Sequence, residues 1–249
     1  MSAPEASRPA DAAGSPPRAV PVVELGYRSA GAFLVAYVSQ IARGELFIES
    51  PTLPPRGTPL SLRIAAPPAS MTLDGMVVGA REARPGQPAG MAVALATPSE
   101  AFGAAVDSLA AAFAGFRVLL STSEAAPRAI LGRNLRSMLS CTIIDADGET
   151  DRSVDLSTLD LCVVDLDSSG PRGFELGQRV RQRPRAAPIV ALAQLERDRA
   201  IASGLGFEEV LPNPPAFADL DAAVRRGLSR PMTIHHATRY GTLKGYGAD

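Results

Sequence analysis

The sequence predicts two domains in series: a small all-β barrel with a C-terminal helix, then an α/β domain built on a five-stranded parallel sheet. Three observations carry this. Residues 22–95 hold short β-like runs punctuated by Gly and Pro, and residues 117–228 alternate apolar runs with helical periods. With 249 residues, 46% of them hydrophobic, the chain can bury two separate cores.

Residues 1–20, rich in Ala, Pro and Ser, are expected to be a disordered lead, and they lack the basic start and apolar core of a secretory signal. The first domain is placed at residues 21–114. Its expected strands are Phe33 to Val38, Glu45 to Ile48, Leu60 to Ile64, Leu73 to Val78 and Gly90 to Leu95. Turns fall at Pro54-Pro55-Arg56-Gly57 and Ala83-Arg84-Pro85-Gly86. Ser99 is the expected N-cap of a helix whose apolar side is Phe102, Val106, Leu109 and Phe113, at steps of four, three and four. That helix would cover the barrel and end at Gly115.

The second domain is placed at residues 115–230. Strands are expected at 117–121, 141–144, 161–165, 188–192 and 208–211, and helices near 125–139, 173–183, 195–204 and 217–228, with an irregular crossover around 150–157. Helices alternating with buried apolar strands favour a parallel sheet with right-handed crossovers. Phe217, Leu220, Val224 and Leu228 form the inward stripe of the last helix. Residues 231–249, with no sustained apolar period, are expected to be a flexible tail.

Composition narrows the function. A net charge of −1 gives no global pull toward nucleic acid or an anionic membrane surface, and no run nears the ~18 apolar residues of a membrane span. Basic residues are nearly all arginine, Lys244 being the only lysine, as a GC-rich genome would give. Cys141 and Cys162 fall in strands that would flank the first strand of the sheet, too far apart for a disulfide.

The run Leu161-Cys162-Val163-Val164-Asp165, leading through Leu166-Asp167-Ser168-Ser169-Gly170 into a helix, resembles the phosphoacceptor segment of a two-component receiver domain. The resemblance implies an acidic pair for Mg²⁺ after the first strand, but Thr122 and Ser123 stand there. It also implies a hydroxyl after the fourth strand, where Ala193 stands, and a lysine before a proline after the fifth, where Asn213 stands. Val210 replaces the switching aromatic. Phosphoryl transfer depends on positioning and charge neutralisation, so Asp165 is expected to be a vestigial phosphoacceptor in a pseudo-receiver.

The segment Gln40-Ile41-Ala42-Arg43-Gly44-Glu45-Leu46-Phe47-Ile48, then Pro54-Pro55-Arg56-Gly57-Thr58 and Gly90-Met91-Ala92-Val93, resembles the PilZ family, nearest to its myxobacterial PilZ-like paralogues. The resemblance spans residues 22 to about 113 and implies the barrel. Cyclic di-GMP recognition in that family uses an arginine arm and a D/N-x-S-x-x-G strand motif. Here Gln40, Ala42 and Glu45 occupy the motif positions, and Arg8, Arg18 and Arg28 never fall four apart. A carboxylate at Glu45 repels a phosphodiester, so cyclic di-GMP is not expected to bind.

Other constellations weigh less. His235 and His236 lie in the tail without the carboxylates of a triad or enough ligands for a metal, and read as surface histidines. Asp145, Asp147, Glu149, Asp151 and Asp155 lack the order of a Ca²⁺ loop. Arg179, Arg181, Arg183 and Arg185 spread around a helix end, where cations are stabilising. The expectation is a non-enzymatic bacterial signalling adaptor, with no catalytic residues, metal or cofactor. It would be cytoplasmic, recruited to a cell pole by a partner if at all, and act through signalling or motility proteins, without nucleic acid or membrane insertion. The contact face would run from Leu195 through Leu228, with Arg199 and Arg225 exposed on it. The alternative is a response regulator still phosphorylated on Asp165 or still binding cyclic di-GMP.

Overall fold

The computed structural model describes residues 20–84, 88–146, 154–238 and 241–242. Almost all of the expected lead, most of the acidic loop and most of the last ten residues therefore lie outside the described residues. In the first half the chain forms β1 (Val22–Gly26), α1 (Ala30–Ser39), β2 (Glu45–Glu49), β3 (Pro59–Ala66), β4 (Ala69–Arg81), β5 (Gly90–Leu95) and α2 (Glu100–Ala112). Strands β3, β4, β5 and β2 pair antiparallel in that order, each alternating core-facing and outward residues, and β4 carries a bulge between Val77 and Gly79.

The all-β barrel expectation fails in two ways. Phe33 to Val38, expected as a strand, lies in α1, and β1 runs parallel to β3, which makes the sheet mixed. Ser29 starts α1 by accepting a hydrogen bond from the Ala32 N–H at 3.3 Å. Phe33, Ala36, Leu34 and Tyr37 pack on the first core, while Val35 packs on the core of the second half. A helix apolar on two sides has little amphipathic period, so its sequence reads as a buried strand. The second helix forms as expected: Ser99 Oγ accepts from the Phe102 N–H at 3.2 Å, and Phe102, Val106 and Leu109 are buried.

The second half follows the sequence closely. It runs β6 (Phe116–Ser121), α3 (Ala125–Met138), β7 (Cys141–Asp145), β8 (Leu161–Asp165), α4 (Leu166–Ser169), α5 (Pro171–Arg181), β9 (Ile189–Leu192), α6 (Glu196–Gly204), β10 (Glu209–Leu211) and α7 (Phe217–Ser229). The expected irregular crossover contributes a 3₁₀ turn at Leu156–Thr158. All five strands pair in parallel, in the order β10-β9-β8-β6-β7. Numbered from β6, this is the 2-1-3-4-5 order of a flavodoxin-like doubly wound sheet, the receiver fold expected from the sequence. Cys141 and Cys162 sit on strands either side of β6 and are free thiols; burial pushes Cys162 up to about 12.

The tail expectation is corrected in part. Beyond α7 the chain forms β11 (Thr233–Thr238) and β12 (Gly241–Thr242), and β11 pairs antiparallel with β1. The first sheet thus has seven strands, ordered β12-β11-β1-β3-β4-β5-β2. An outward polar residue alternates with an inward one here too, as Ile234 packs on the first core, but six residues are too short a period to stand out beside Gly and Pro.

The halves meet at the amino-terminal edge of the parallel sheet. The Arg28 guanidinium donates to the Leu159 carbonyl at 3.4 Å and to the Arg185 carbonyl. Ser29 Oγ donates to Asp160 Oδ1 at 3.0 Å, and Asp160 Oδ2 accepts from the Arg117 N–H at 2.9 Å. Within the first core the Tyr27 hydroxyl is buried with no hydrogen-bond partner among the described residues, and burial raises its phenol above the usual range. Tyr27→Phe is therefore expected to raise stability by about 1 kcal/mol, read from the urea midpoint; a loss of that size would reveal a partner for the hydroxyl.

Candidate functional site

Every residue of β8 is buried, so its last side chain, Asp165, emerges at the carboxyl edge of the sheet with only 2% of its surface exposed. A buried carboxylate needs donors, and the local chain supplies them. Asp165 caps α4, its Oδ1 accepting from the Ser168 N–H at 3.3 Å. Its Oδ2 accepts from Thr122 Oγ1 at 3.0 Å and Ser168 Oγ at 2.9 Å, and its Oδ1 from Asn213 Nδ2 at 3.0 Å. All of these donors are neutral. Thr122 itself is 1% exposed.

A second carboxylate extends the network. Asp167, exposed on α4, accepts from the Gln194 N–H at 3.1 and 2.9 Å and from Asn213 Nδ2 at 2.8 Å, so the Asn213 amide bridges two carboxylates. On the other side, Ser123 Oγ donates to the Ser168 carbonyl at 2.7 Å and the Ser123 N–H donates to Ser168 Oγ at 3.1 Å. Arg128 Nη2 donates to the Thr122 carbonyl at 2.6 Å. The loops after β6, β8, β9 and β10 are stitched together around Asp165.

Of the residues singled out from sequence, the fold brings Thr122 and Asn213 onto Asp165, and ties Ser123 to Ser168 rather than to Asp165. Ala193 is buried at the end of β9, its N–H donating to the Leu211 carbonyl at 3.0 Å, and Val210 is half-buried against the core. Sequence reasoning missed Ser168 and Asp167. The available signal was a carboxylate followed three residues later by a hydroxyl at a helix start, a capping geometry. Chemically, the arrangement satisfies the Asp165 carboxylate with hydroxyls and amides, shares the Asn213 amide with the second carboxylate, Asp167, and places no cationic side chain on Asp165 among the described residues. Among the described residues, no three His, Cys, Asp or Glu side chains converge as a metal-ligand set.

The PilZ-like motif positions do not gather. Gln40 ends α1 and its Oε1 accepts from the Phe47 N–H at 3.1 Å, whereas Ala42 and Glu45 are exposed. Gln40 lines a cleft of about 1450 Å³ between the halves. Its arginines are engaged within the chain: Arg81 lies 4.3 Å over the Phe47 ring, Arg226 pairs with Glu209 at 2.8 Å and Arg230 with Glu49 at 2.6 Å. His236, expected on a mobile surface, is half-buried in this cleft with Nε2 2.8 Å from Ser50 Oγ. That hydroxyl donates to the Thr52 carbonyl at 2.7 Å, so the ring nitrogen is the donor to it. Burial, reinforced by neighbouring His235, lowers the His236 pKa.

No family model matches the chain. It is 31% identical over 86 residues to the transcriptional regulatory protein TctD of Salmonella typhimurium strains SL1344 and LT2, a match covering 33% of this chain. The chain spans 38% of the length of these curated relatives. Among solved structures, the receiver domain of sensor histidine kinase PA1611 from Pseudomonas aeruginosa, with magnesium in its active-site cleft, is 23% identical, with a TM-score of 0.41. The alignment covers 46% of this chain and 98% of that one. The signal receiver domain of a DNA-binding response regulator from Colwellia psychrerythraea is 19% identical with a TM-score of 0.40, over 45% of this chain and 96% of that one.

Proposed function

We propose that the chain is a non-enzymatic signalling adaptor whose receiver-like half is held in one state and acts through protein contacts. The observation that carries this is the saturation of Asp165 by Thr122, Ser168 and Asn213. Charge developing on a transferred phosphoryl group needs metal and cationic partners, and neutral donors that already occupy the lone pairs of the carboxylate are a poor substitute. The partial match to a regulatory protein supports a signalling role. The setting, motility or cell-polarity regulation, rests on the sequence resemblance of residues 22–113 alone. Cyclic di-GMP and nucleic acid are left out of the proposed partners, the first because the motif positions do not converge, the second because the net charge of −1 gives no electrostatic attraction.

The contact face is placed on α6, β10 and α7, where Leu195, Ile201 and Phe217 are each about half exposed. Arg199, expected to be exposed, is half-buried and donates to the Ala193 and Gln194 carbonyls at 3.0 and 2.9 Å, and reversing its charge would disturb the end of β9. Arg225, paired with Asp221 one turn away, is the better probe. A second reading, a response regulator that takes phosphate on Asp165, is favoured by the place of that carboxylate at the carboxyl edge of the sheet. Incubation with acetyl phosphate and Mg²⁺ separates the two. Intact mass is expected to stay unchanged; added phosphate that Asp165→Asn abolishes would establish the second reading.

A further inference from the structure

The strand that follows α7 belongs by sequence to one half and by structure to the other. Strand β11 follows α7 of the receiver-like half, yet its backbone pairs with β1, Ile234 packs on the first core, and the Met232 N–H donates to the Gly26 carbonyl at 2.8 Å. His236 reaches Ser50 at the end of β2, and Thr233 Oγ1 sits where a Cβ on Gly26 would be, 2.2 Å from that position. The backbone pairing and packing of β11 thus lie with the first sheet and would be reproduced on the first sheet of another copy. Its link to α7 is only Arg230, Pro231 and Met232. Arg230 is already extended, at φ −73° and ψ 126°, as a residue before proline prefers, and the bends at Arg230 and Met232 are what an exchange would open.

Without β11, β1 would be an edge strand of alternating buried Val23 and Leu25 with an open row of backbone donors and acceptors. From these features we propose that β11 exchanges between two copies of this chain, each copy's Thr233–Thr238 adding to its partner's β1 in the register seen within one copy. Exchange of an identical element keeps every native contact of that element and costs mainly the opening of its hinge. The three-residue link spans up to about 10 Å, which places the two-fold axis beside the Gly26 and Thr233 end of the ladder. The interface is therefore a strand-accepting edge, and its partner is a second copy.

Two single-cysteine chains test it. Glu24 and His235 are directly opposed across the β1–β11 ladder, a spacing a disulfide can bridge, and neither faces the core. In a Cys141→Ser background, Glu24→Cys and His235→Cys chains are mixed, concentrated and oxidised with diamide. Exchange predicts a disulfide-linked heterodimer whose yield rises several-fold over about two decades of protein concentration, and which neither variant forms alone. No heterodimer, or equal amounts of dimer from each variant alone, would overturn the proposal. Native mass spectrometry of the unsubstituted chain keeps it falsifiable should a variant misfold: a dimer at high concentration supports exchange, and a monomer throughout refutes it.

Discussion

Replacing Asp165 with alanine is expected to destabilise the protein by about 2–4 kcal/mol, while Asp165→Asn changes stability by less than about 1 kcal/mol. Alanine leaves the buried Thr122 hydroxyl, the Ser168 hydroxyl and N–H, and one Asn213 hydrogen without their acceptor. Part of the loss is recovered because Thr122 and Ser168 lie 3.1 Å apart and can bond each other, and Asn213 retains Asp167. Asparagine fits differently. With its oxygen at the Oδ1 position it still accepts from Ser168 N–H and Asn213, and its amide hydrogens can donate to the two hydroxyls, which need only rotate. Urea denaturation of the two variants measures the difference. On the adaptor reading partner recovery should survive Asp165→Asn, since that reading needs no charge switch at Asp165; its loss in a chain of unchanged stability would end the adaptor reading.

Gly31→Val is the second large effect, at about 3 kcal/mol of lost stability. A Cβ on Gly31 would lie 2.5 Å from Phe113 Cε2 and 2.6 Å from Phe116 Cε1, rings that pack edge to face with centroids 4.8 Å apart at the junction of the halves. Neither ring can retreat without breaking that pair. Because α1 contributes to both cores, hydrogen exchange should quicken in α1 and α7 together. Gly103→Ala in α2 is the control: nothing lies within 4 Å of its added Cβ, and the gain in helix propensity should raise stability by about 0.5–1 kcal/mol. Valine at 31 leaving the urea midpoint in place would show the junction to be looser than its packing.

The legibility of the two halves differs for a physical reason. In the parallel sheet, continuous apolar strands such as Leu161 to Val164 are separated by helices with one apolar face, so period and breaks agree. In the first half, α1 touches two cores and hides its period, and β11 is separated from its partner by nearly the whole chain. The site was legible at Thr122, Asp165 and Asn213, because strand ends fix those positions once the strands are placed. Ser168 was not, since only the turn of α4 folds its hydroxyl back onto Asp165. Arg199 is less exposed than expected because the Ala193 and Gln194 carbonyls it holds belong to turning backbone that charge counting does not register.

The chain is made from its amino terminus, and the pairing of β1 with β11 then has a timing consequence. Val22 is opposite Ala237, so the first sheet waits for roughly 200 further residues before its neighbour exists. At about 5–20 residues per second that delay is on the order of ten to forty seconds. During it, β1 holds β3 on one side and nothing on the other, while the receiver-like half, whose strands pair only with one another, can complete itself first. The nascent protein passes through a stage in which its later half is finished and its earlier half is not. Crowded polysomes, where many such stages coexist side by side, are where an unoccupied β1 would most readily meet the wrong strand.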